Sequence, residues 1–505
     1  MSSFILNAPL FCIVASLLCA VICSVLVSHR AEKVCWGLLM AVLAGNLALL
    51  SYQISTGEAV SYMMGHYPAP WGNELRFGIL EPLIASILGF VLLMTAIGGR
   101  MHYFTQAETG HRSIYFTMLC LLQAAMMALL YTNDIFTGYV FIEIATLATC
   151  AVLVSRNTPG AIAAGVRYMI FSLIGSGLFL LGTILLYDIT GHLLFPNIRE
   201  TVAVIWQTGS YSLPLTVAIS LITVGLGIKS GLFPFHFWMA DTYGSASPGA
   251  AGTMSGVVSK LYIFFLIKII HCGFGSEVYY ASGAQNVLFV FGICGALVGS
   301  VSAIHQRDIN RMTAYSSASQ IGYVYMALGI SGTAGVIAAL FQLITHAITK
   351  PPLFLSLARL RDVSGNSPYF SDLQGSAHRD RLAGICFTVG AMSMVGMPTL
   401  AGFIVKLAIA GAAVGADVGL KALPVLVTLA LSTVLNTVYF LRTVLRIYTP
   451  SETHPAAPDT SWLTPRGGRI STTVSYVTFI ALNFGFGLCS QPILALLEQG
   501  VALFG

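Results

Sequence analysis

Charged residues are scarce in this sequence of 505 residues. Asp, Glu, Lys and Arg together make up 9% of it, against about 25% in soluble domains, and the mean hydropathy is +0.83. Long polar stretches are also absent. The longest, at 56–77, 362–381 and 450–469, are too short for an independent hydrophobic core, which usually needs over about 40 residues. We therefore expect no separate soluble domain in this sequence, and the composition predicts a polytopic membrane protein.

Motifs for nucleotides and metals are missing as well. The sequence contains no Walker loop and no dinucleotide fingerprint, so we expect neither ATP hydrolysis nor NAD binding. Its ten cysteines form no Cys-x-x-Cys pair, and we interpret them as small apolar residues that pack helices. We therefore expect no cofactor, no bound metal and no catalytic redox centre within this chain. An ion gradient or a partner subunit would then supply the energy.

Apolar runs of about 20 residues, the length that spans a bilayer core of roughly 30 Å, are abundant. We count fourteen of them: 9–27, 34–51, 79–97, 114–131, 135–154, 165–187, 213–230, 251–270, 287–304, 312–329, 336–357, 382–413, 420–448 and 472–497. They predict an all-α polytopic fold in which residues 1–505 form a single integral membrane domain of about fourteen transmembrane helices. Pro234, Gly396 and Pro398 predict places where such helices are broken.

The distribution of positive charge predicts the orientation of the helices. Of the 24 Lys and Arg residues, four lie well inside apolar runs, which leaves twenty in loops and at helix ends. Odd-numbered loops, counted from the N-terminus, have sixteen of these, whereas even-numbered loops have only Arg76, Arg199, Lys268 and Lys421. The positive-inside bias then puts the odd loops in the cytoplasm and both termini outside the inner or plasma membrane. The net charge of +5 follows from this bias, so we do not expect nucleic-acid binding.

Five charged side chains lie deep inside stretches that otherwise have the composition of a membrane-embedded helix: Glu143, Lys229, Lys260, Lys350 and Lys406. Each costs at least roughly 2.5–3.5 kcal/mol near the bilayer centre, so the five cost on the order of 15 kcal/mol, comparable with the net stability of a whole protein. At 1.5 Å per residue, Glu143 lies about 13 Å into its helix, near the bilayer midplane. We predict that these residues move or hold charge.

The segment around Lys229 identifies a family. Its sequence GIKSGLFPFHFWMAD, at 227–241, followed by Ser247-Pro248 and Lys260, closely resembles the antiporter-like subunits shared by respiratory complex I, membrane-bound energy-converting hydrogenases and Mrp-type multi-subunit sodium/proton antiporters. Further matches extend over most of the chain: Asn133-Asp134, 141–143, Asp308, 314–317, 320–322, 346–350, 353–354 and 396–403. Lys406, where one complex I paralogue has glutamate, favours the Mrp D-type or hydrogenase-type members.

The resemblance implies fourteen core helices that contain two inverted five-helix repeats. Helices 4–8, at about 114–271, would form the first repeat, and helices 9–13, at about 287–448, the second. Each repeat would contain one broken helix, helix 7 or helix 12, which agrees with the positions of Pro234 and Pro398.

Three residues depart from the family pattern. Asn310 replaces a common lysine, Tyr262 a usual glycine and Glu81 a frequent aspartate. We expect none of these departures to touch the five buried charges.

The resemblance also implies roles for the buried charges. Lys229 would be the counter-ion of Glu143. Because a nearby carboxylate favours the protonated form of a buried amine, opening this pair would release a proton from Lys229. Lys260 would receive it, and His346 and Lys350, which lie four residues apart on one helical face, would relay it.

Lys406 would end the relay and pass the proton to an exit channel or to a neighbouring subunit.

Other interpretations of these residues remain. Glu143 can instead pin two helices together, and a membrane histidine such as His346 is often a packing or hydrogen-bonding residue. His236, just after the break, is either a helix cap or a proton-uptake residue, and Asp241 is a secondary candidate in the same segment.

Two classes of function follow from these observations. The first is a proton-translocating subunit of a larger complex, with sodium/proton exchange left open, which would have other membrane subunits, protons and the lipid bilayer as partners. The second is a stand-alone secondary transporter of a small solute. The polar axis through the spans is made almost wholly of Lys, Glu and His, and no varied polar cluster of substrate size is apparent, which favours the first class.

Overall fold

The computed structural model describes residues 5–67, 72–106, 112–415, 419–450 and 466–504. Its helices are α1 (Ala8–Val25), α2 (Ser28–Thr56), α3 (Leu80–Gln106), α4 (Arg112–Tyr131), α5 (Ile135–Val154), α6 (Pro159–Thr190), α7 (Phe195–Thr208), α8 (Ser212–Ser230), α9 (Phe237–Ser245), α10 (Pro248–Phe274), α11 (Ala284–Ile304), α12 (Ile309–Leu328), α13 (Thr333–Asp362), α14 (Arg381–Val395), α15 (Ala401–Gly415), α16 (Ala422–Tyr448), α17 (Arg466–Leu488) and α18 (Gln491–Ala502). Shorter helical segments lie at Met64–His66, Ser276–Ala281, Phe370–Leu373, Ser376–Arg379 and Gly419–Lys421. Two short strands, β1 (Val60–Met63) and β2 (Glu74–Phe77), pair antiparallel with Val60 opposite Phe77.

Twelve of the described helices are long and apolar enough to cross a membrane. They are α1–α6, α8, α10, α11, α13, α16 and α17. Helix α12 has the length of a span but is rich in Ser, Gln and Tyr and is not among the twelve, while α14 and α15 are apolar helices of 15 residues each. The prediction of an all-α polytopic membrane protein is confirmed. The count of fourteen spans stays a prediction.

Two helices are interrupted at the places that proline and glycine predicted. Helix α8 is followed by Gly231, with φ of 85°, and helix α14 by Gly396, with φ of 91°. Left-handed backbone at this position ends an α-helix, and glycine adopts it without a steric penalty. Helices α9 and α15 resume the path of the chain a few residues later, so both breaks lie between two helical halves.

Helix α10 is only partly α-helical. Residues Met254–Val258 and Ile269–Phe274 form π-helical turns, which are frequent at functional sites. The helix is buried throughout and packs closely on α13, because a Cβ added to Gly256 would lie 2.5 Å from Pro351 Cγ. A π-helical turn contains about one residue more than an α-helical turn, and hydrophobic periodicity does not reveal this difference. The sequence therefore predicted an ordinary α-helix here.

Helix α13 continues through two consecutive prolines, Pro351 and Pro352, directly after Lys350. Proline has no backbone N–H, so the carbonyls of Ala347 and Ile348, four residues earlier, lack their usual partner within the helix. A membrane bundle tolerates such carbonyls where neighbouring helices or water satisfy them.

One positive charge that we counted with the even-numbered loops and helix ends is buried within the protein. Lys268 is fully buried near the end of α10, and its Nζ lies 3.4 Å from Glu81 Oε1. Its place near the helix end at an even-numbered loop is kept. Hydropathy did not show that Lys268 is buried, because it does not show which side of a helix end faces protein. The imbalance between odd and even loops keeps its direction.

Candidate functional site

Helix α5 presents Glu143 to Lys229. The helix starts at the N-cap residue Asp134, whose carboxylate accepts a hydrogen bond of 2.6 Å from Thr137 N. Nine residues after the cap, Glu143 Oε1 lies 3.7 Å from Lys229 Nζ. The lysine side chain is fully buried, whereas the glutamate side chain is 25% exposed. The predicted pair is therefore present, between α5 and α8.

The pair is electrostatic and has no hydrogen bond, since 3.7 Å exceeds the range for an N–H···O contact. Lys229 Nζ donates instead to Thr146 Oγ1 at 2.7 Å. Glu143 Oε1 is buried and has no hydrogen-bond partner within the described chain. A small shift of either helix would therefore change the separation of the two charges without breaking a direct bond.

Space for Lys229 comes from a glycine on the neighbouring helix α6. A Cβ on Gly175 would lie 3.0 Å from Lys229 Cγ and 2.8 Å from Gly225 O. Contacts of that length are shorter than van der Waals distance, so only glycine allows α6 and α8 to approach this closely. The approach seals the lysine from lipid.

Tyr262 touches this pair, contrary to our expectation that the departures from the family pattern leave the buried charges alone. Lys229 Nζ lies 5.4 Å from the centre of the Tyr262 ring, within the range of a cation–π contact. The Tyr262 hydroxyl lies 3.4 Å from Thr146 Oγ1, the same atom that accepts from Lys229. Sequence spacing did not reveal this because Tyr262 is on α10 and Lys229 on α8.

Lys260, His346 and Lys350 form one cluster at the interface of α10 and α13. Each side chain is at most 1% exposed, and the charges of both lysines act on His346. Lys260 donates to Ser255 O, in the first π-helical turn, and to Ser259 Oγ at 3.1 Å. The structure thus brings together three of the predicted site residues.

Neither lysine of this cluster has an acidic partner among the residues that the structure describes. Lys350 Nζ donates to Thr313 O at 3.1 Å and to Ser316 Oγ, and lies 5.8 Å from the centre of the Phe440 ring. Both ring nitrogens of His346 are buried and make no hydrogen bond within the described chain. The hydrogen-bonding role that was the alternative for His346 therefore receives no support.

Lys406 lies across the break between α14 and α15. Its Nζ donates to Val395 O, which the end of α14 leaves free, and to Thr433 Oγ1 of α16 at 2.8 Å. Seven residues after Thr433, Phe440 contacts Lys350. Since seven residues are about two helical turns, Lys350 and Lys406 lie against the same face of α16.

A network of buried polar side chains connects α11, α12 and α16. Ser300 Oγ of α11 lies 2.8 Å from Ser319 Oγ of α12. Tyr439 OH donates to Asn436 Oδ1 at 2.7 Å, and Ser300 Oγ donates to the same oxygen at 3.0 Å. Sequence reasoning missed this network because none of its members is charged. A Ser and Tyr content that is high for a membrane helix, as in α12, was the available signal.

His236 and Asp241 lie on the far side of the first break. His236 precedes α9 but makes no capping hydrogen bond with its side chain, and its ring stacks on Phe237 with 4.6 Å between the ring centres. Asp241 pairs with Arg167 and, at 2.7 Å, with Arg311 Nη1. Asp241 therefore ties α6, α9 and α12 together.

No group of three His, Cys, Asp or Glu side chains able to hold a metal ion occurs in the described ranges. The ten cysteines are free, and Cys23 Sγ lies 4.0 Å from Cys120 Sγ.

Comparison with known proteins places this geometry in a family. Residues 132–432 match the family described as "NADH:quinone oxidoreductase/Mrp antiporter, TM". The chain belongs to this family. The match covers more than half of the chain and spans all five charges that the sequence singled out inside the helices.

Curated relatives are similar over most of their length. NADH-quinone oxidoreductase subunit N of Desulforudis audaxviator (strain MP104C) is 31% identical over 83% of this chain and 81% of the relative. The D-type subunit of the Na(+)/H(+) antiporter of Alkalihalophilus pseudofirmus is 25% identical over 68% of each chain. The match to the quinone oxidoreductase subunit is thus the more identical of the two, which gives no support to the preference for the D-type that Lys406 suggested.

Solved structures share the fold. A chain of the Mrp complex from Dietzia sp. DQ12-45-1b superposes with a TM-score of 0.85 at 22% identity, over 98% of this chain and 96% of that one. A chain of an archaeal membrane-bound sulfane sulfur reductase gives 0.86 at 21% identity, over 99% and 97%. A chain of respiratory complex I from Thermus thermophilus gives 0.73 at 22% identity, over 98% and 100%.

Proposed function

We propose that this chain moves protons across a cell membrane as one subunit of a larger complex. The observation that supports this most directly is a set of four lysines inside the bundle, of which Lys229, Lys260 and Lys350 are buried and Lys406 is partly buried. Their described hydrogen-bond partners are hydroxyls and carbonyls. Burying permanent charges without counter-charges is costly. Amines that spend part of a cycle neutral reduce that cost, and that is what proton carriers do.

The pair of Glu143 and Lys229 is the proposed control point. When the pair is close, the carboxylate favours the ammonium form of Lys229; when it opens, the buried amine gives up its proton. The separation of 3.7 Å without a direct hydrogen bond suits a pair that opens and closes. Thr146 then keeps Lys229 in place, because its hydroxyl can accept from the ammonium or donate to the amine.

The proton would next reach the cluster of Lys260, His346 and Lys350. Mutual repulsion within this cluster disfavours more than one extra proton, so a proton that arrives at one end promotes release at the other. His346, with both ring nitrogens buried and unbonded in the described chain, can accept a proton on one nitrogen and release it from the other. Lys406, against the same face of α16 as Lys350, would be the last carrier.

Other membrane subunits are the proposed partners of this chain. The relatives and structural neighbours are named as subunits of quinone oxidoreductase, antiporter and sulfane sulfur reductase complexes. A chain with proton carriers and no driving reaction of its own needs such a complex. Whether sodium is exchanged would follow from the parent complex, and a stand-alone solute transporter is not favoured.

The orientation remains part of the proposal. The bias of positive charge puts the odd loops in the cytoplasm and both termini outside the inner or plasma membrane. Fourteen spans would result if α12 and the pair α14 and α15 each cross once in addition to the twelve apolar helices.

Two inverted repeats, at about 114–271 and 287–448, are supported by a detail that occurs twice. The N-cap residue Asp134 of α5 forms an isolated bridge with Leu194, and the N-cap residue Asp308 of α12 forms one with Tyr369. Two backbone hydrogen bonds flank each bridge. In one, the N–H of the residue that follows the aspartate donates to the carbonyl of the residue that precedes Leu194 or Tyr369. In the other, the N–H of the residue that follows Leu194 or Tyr369 donates to the carbonyl of the residue that precedes the aspartate. These are equivalent positions in the two proposed repeats.

Replacing Glu143 by Gln tests the control point. The amide keeps the size of the side chain and removes the charge that acts on Lys229, so we expect proton translocation to fall by a factor of roughly 10² or more while the complex still assembles. Proton flux in inverted membrane vesicles, normalised to complex abundance on a native gel, is the measurement. Glu277→Gln, at an exposed carboxylate, is the matched control and should behave as the wild type. Full flux in Glu143→Gln would mean that the pair only holds helices together.

A further inference from the structure

A second buried ion pair lies at the end of the bundle where the even-numbered loops are. Lys268 Nζ is 3.4 Å from Glu81 Oε1, and the two side chains are 0% and 1% exposed. Lys268 Nζ also donates to Leu130 O at 2.8 Å and to Arg76 O at 3.3 Å. Glu81 Oε2 accepts from Gly78 N at 2.7 Å. The proposed relay uses neither residue.

The pair is close to the relay along helix α10. Lys268 follows Lys260 by eight residues, which places the two lysines about 12 Å apart along the helix axis. The segment that joins them, Ser259–Lys268, is flanked on both sides by the π-helical turns. Buried Phe264 and Phe265 occupy the turn between the lysines, so transfer across it requires transient water.

An open cavity of about 480 Å³ lies close to the pair, although neither Glu81 nor Lys268 lines it. Its walls include Arg76, Asn133, Arg199, Glu200, Cys272 and Phe504. Arg76 connects the cavity to the pair, because its carbonyl accepts from Lys268 while its Nη1 donates to Cys272 Sγ at 3.1 Å. Asn133, also in the cavity wall, is fully buried, and its Oδ1 has no hydrogen-bond partner in the described chain.

We propose that Glu81 and Lys268 exchange protons between Lys260 and water in this cavity. The inference rests on the proposed function and deepens it. It gives the first half of the chain an outlet at the even-loop end, separate from the route through Lys406.

The chemistry conserves protons at each step. The resting pair is an ammonium and a carboxylate. A proton released by Lys260 converts the Glu81 carboxylate to the neutral acid, which removes the counter-charge of Lys268. The Lys268 ammonium then gives a proton to water in the cavity. Finally the Glu81 acid passes its proton across the 3.4 Å gap to the Lys268 amine and restores the pair, so one proton enters and one leaves. The reverse order moves a proton inwards.

A purely structural clamp is the alternative, and double neutralisation separates the two roles. Removing one partner of a buried pair leaves an uncompensated charge and is strongly destabilising, whereas replacing both by neutral residues of similar size is often tolerated. We therefore expect Glu81→Gln and Lys268→Met each to lower the abundance of the complex, and the double variant to restore it. Flux per assembled complex in the double variant should fall roughly twofold or more, because one of two outlets is closed.

Two single variants test the inference independently of the double variant. Lys268→Arg keeps the positive charge but cannot release a proton, so it should show the same loss of flux in an assembled complex. Glu81→Asp keeps a titratable carboxyl and should retain flux. Wild-type flux in the double variant or in Lys268→Arg would overturn the inference, and the pair of Glu81 and Lys268 would then have a purely structural role.

A matched pair controls for stability. Arg359 and Asp380 form another buried ion pair, with 2.9 Å between Arg359 Nη2 and Asp380 Oδ2, and have no place in the relay. The double variant Arg359→Met/Asp380→Asn should keep wild-type flux per assembled complex; a loss of the same size there would overturn the inference. Glu143→Gln, measured in parallel, separates a failure of the proposed function from a failure of the proposed outlet. If Glu143→Gln retains flux, the proposed function is contradicted. If Glu143→Gln loses flux but the Glu81/Lys268 double variant retains it, only the outlet is contradicted.

Discussion

Replacing Lys406 by arginine distinguishes a proton carrier from a fixed charge. Lys406 contacts Val395 O and Thr433 Oγ1, and a guanidinium can donate to both. The reference pKa of arginine exceeds that of lysine by about two units or more, so its neutral form is at least roughly 100-fold rarer at any given pH. If Lys406 must become neutral in each cycle, Lys406→Arg should lose flux by about that factor, nearly as much as Lys406→Ala.

The assay is the rate of proton uptake by inverted vesicles at equal complex abundance, for the Arg, Ala and Met variants together. Lys421→Arg is the matched control, because Lys421 also donates to a carbonyl, Gly329 O at 2.8 Å, and lies 5.3 Å from the centre of the Phe289 ring. It should keep wild-type flux. If Lys406→Arg is also near wild type while Lys406→Ala and Lys406→Met are inactive, Lys406 only supplies positive charge at the helix break, and the relay through the second half of the chain is refuted.

The remaining predictions concern the whole subunit and Tyr262. The purified chain, reconstituted alone in liposomes, should show no proton or sodium transport above protein-free vesicles, because it has carriers and no driving reaction; robust transport by the single chain would instead favour a stand-alone transporter. Tyr262→Phe keeps the ring near Lys229 and should retain most flux, whereas Tyr262→Leu removes a cation–π contact worth roughly 0.5–2 kcal/mol and should change flux several-fold at equal abundance. Equal fluxes in the two variants would show that the ring has no role beyond packing.

The sequence predicted the helices and their breaks well because both have strong local causes. A span needs a run of apolar residues, and the breaks at Gly231 and Gly396 need a residue that adopts positive φ, so both are visible in a short stretch of chain. The pair of Glu143 and Lys229 and the cluster around His346 were found for a related reason: a charge inside an apolar run stands out, and the family resemblance supplied its partner.

What the sequence did not predict depends on which helices pack together. Lys268 lies so close to the end of its apolar run that it was counted as a loop charge, and its partner Glu81 is on α3, far away in sequence. Ser300, Ser319 and Asn436 are unremarkable one by one, and become a network only where α11, α12 and α16 meet. Helix α7 was also missed, because its 14 amphipathic residues are too short and too polar to read as a span.

The two prolines after Lys350 give α13 a mechanical property. A helix bends most easily where its backbone hydrogen bonds are missing, and in α13 that place adjoins Lys350. The ten residues beyond Pro352 then act as a lever about 15 Å long, so that a tilt of about 10° displaces its tip by about 2.6 Å. That tip is Asp362, whose Oδ2 lies 2.7 Å from His102 Nε2 on α3. A change of charge at Lys350 that tilts this part of α13 would therefore also displace α3, the helix on which Glu81 lies.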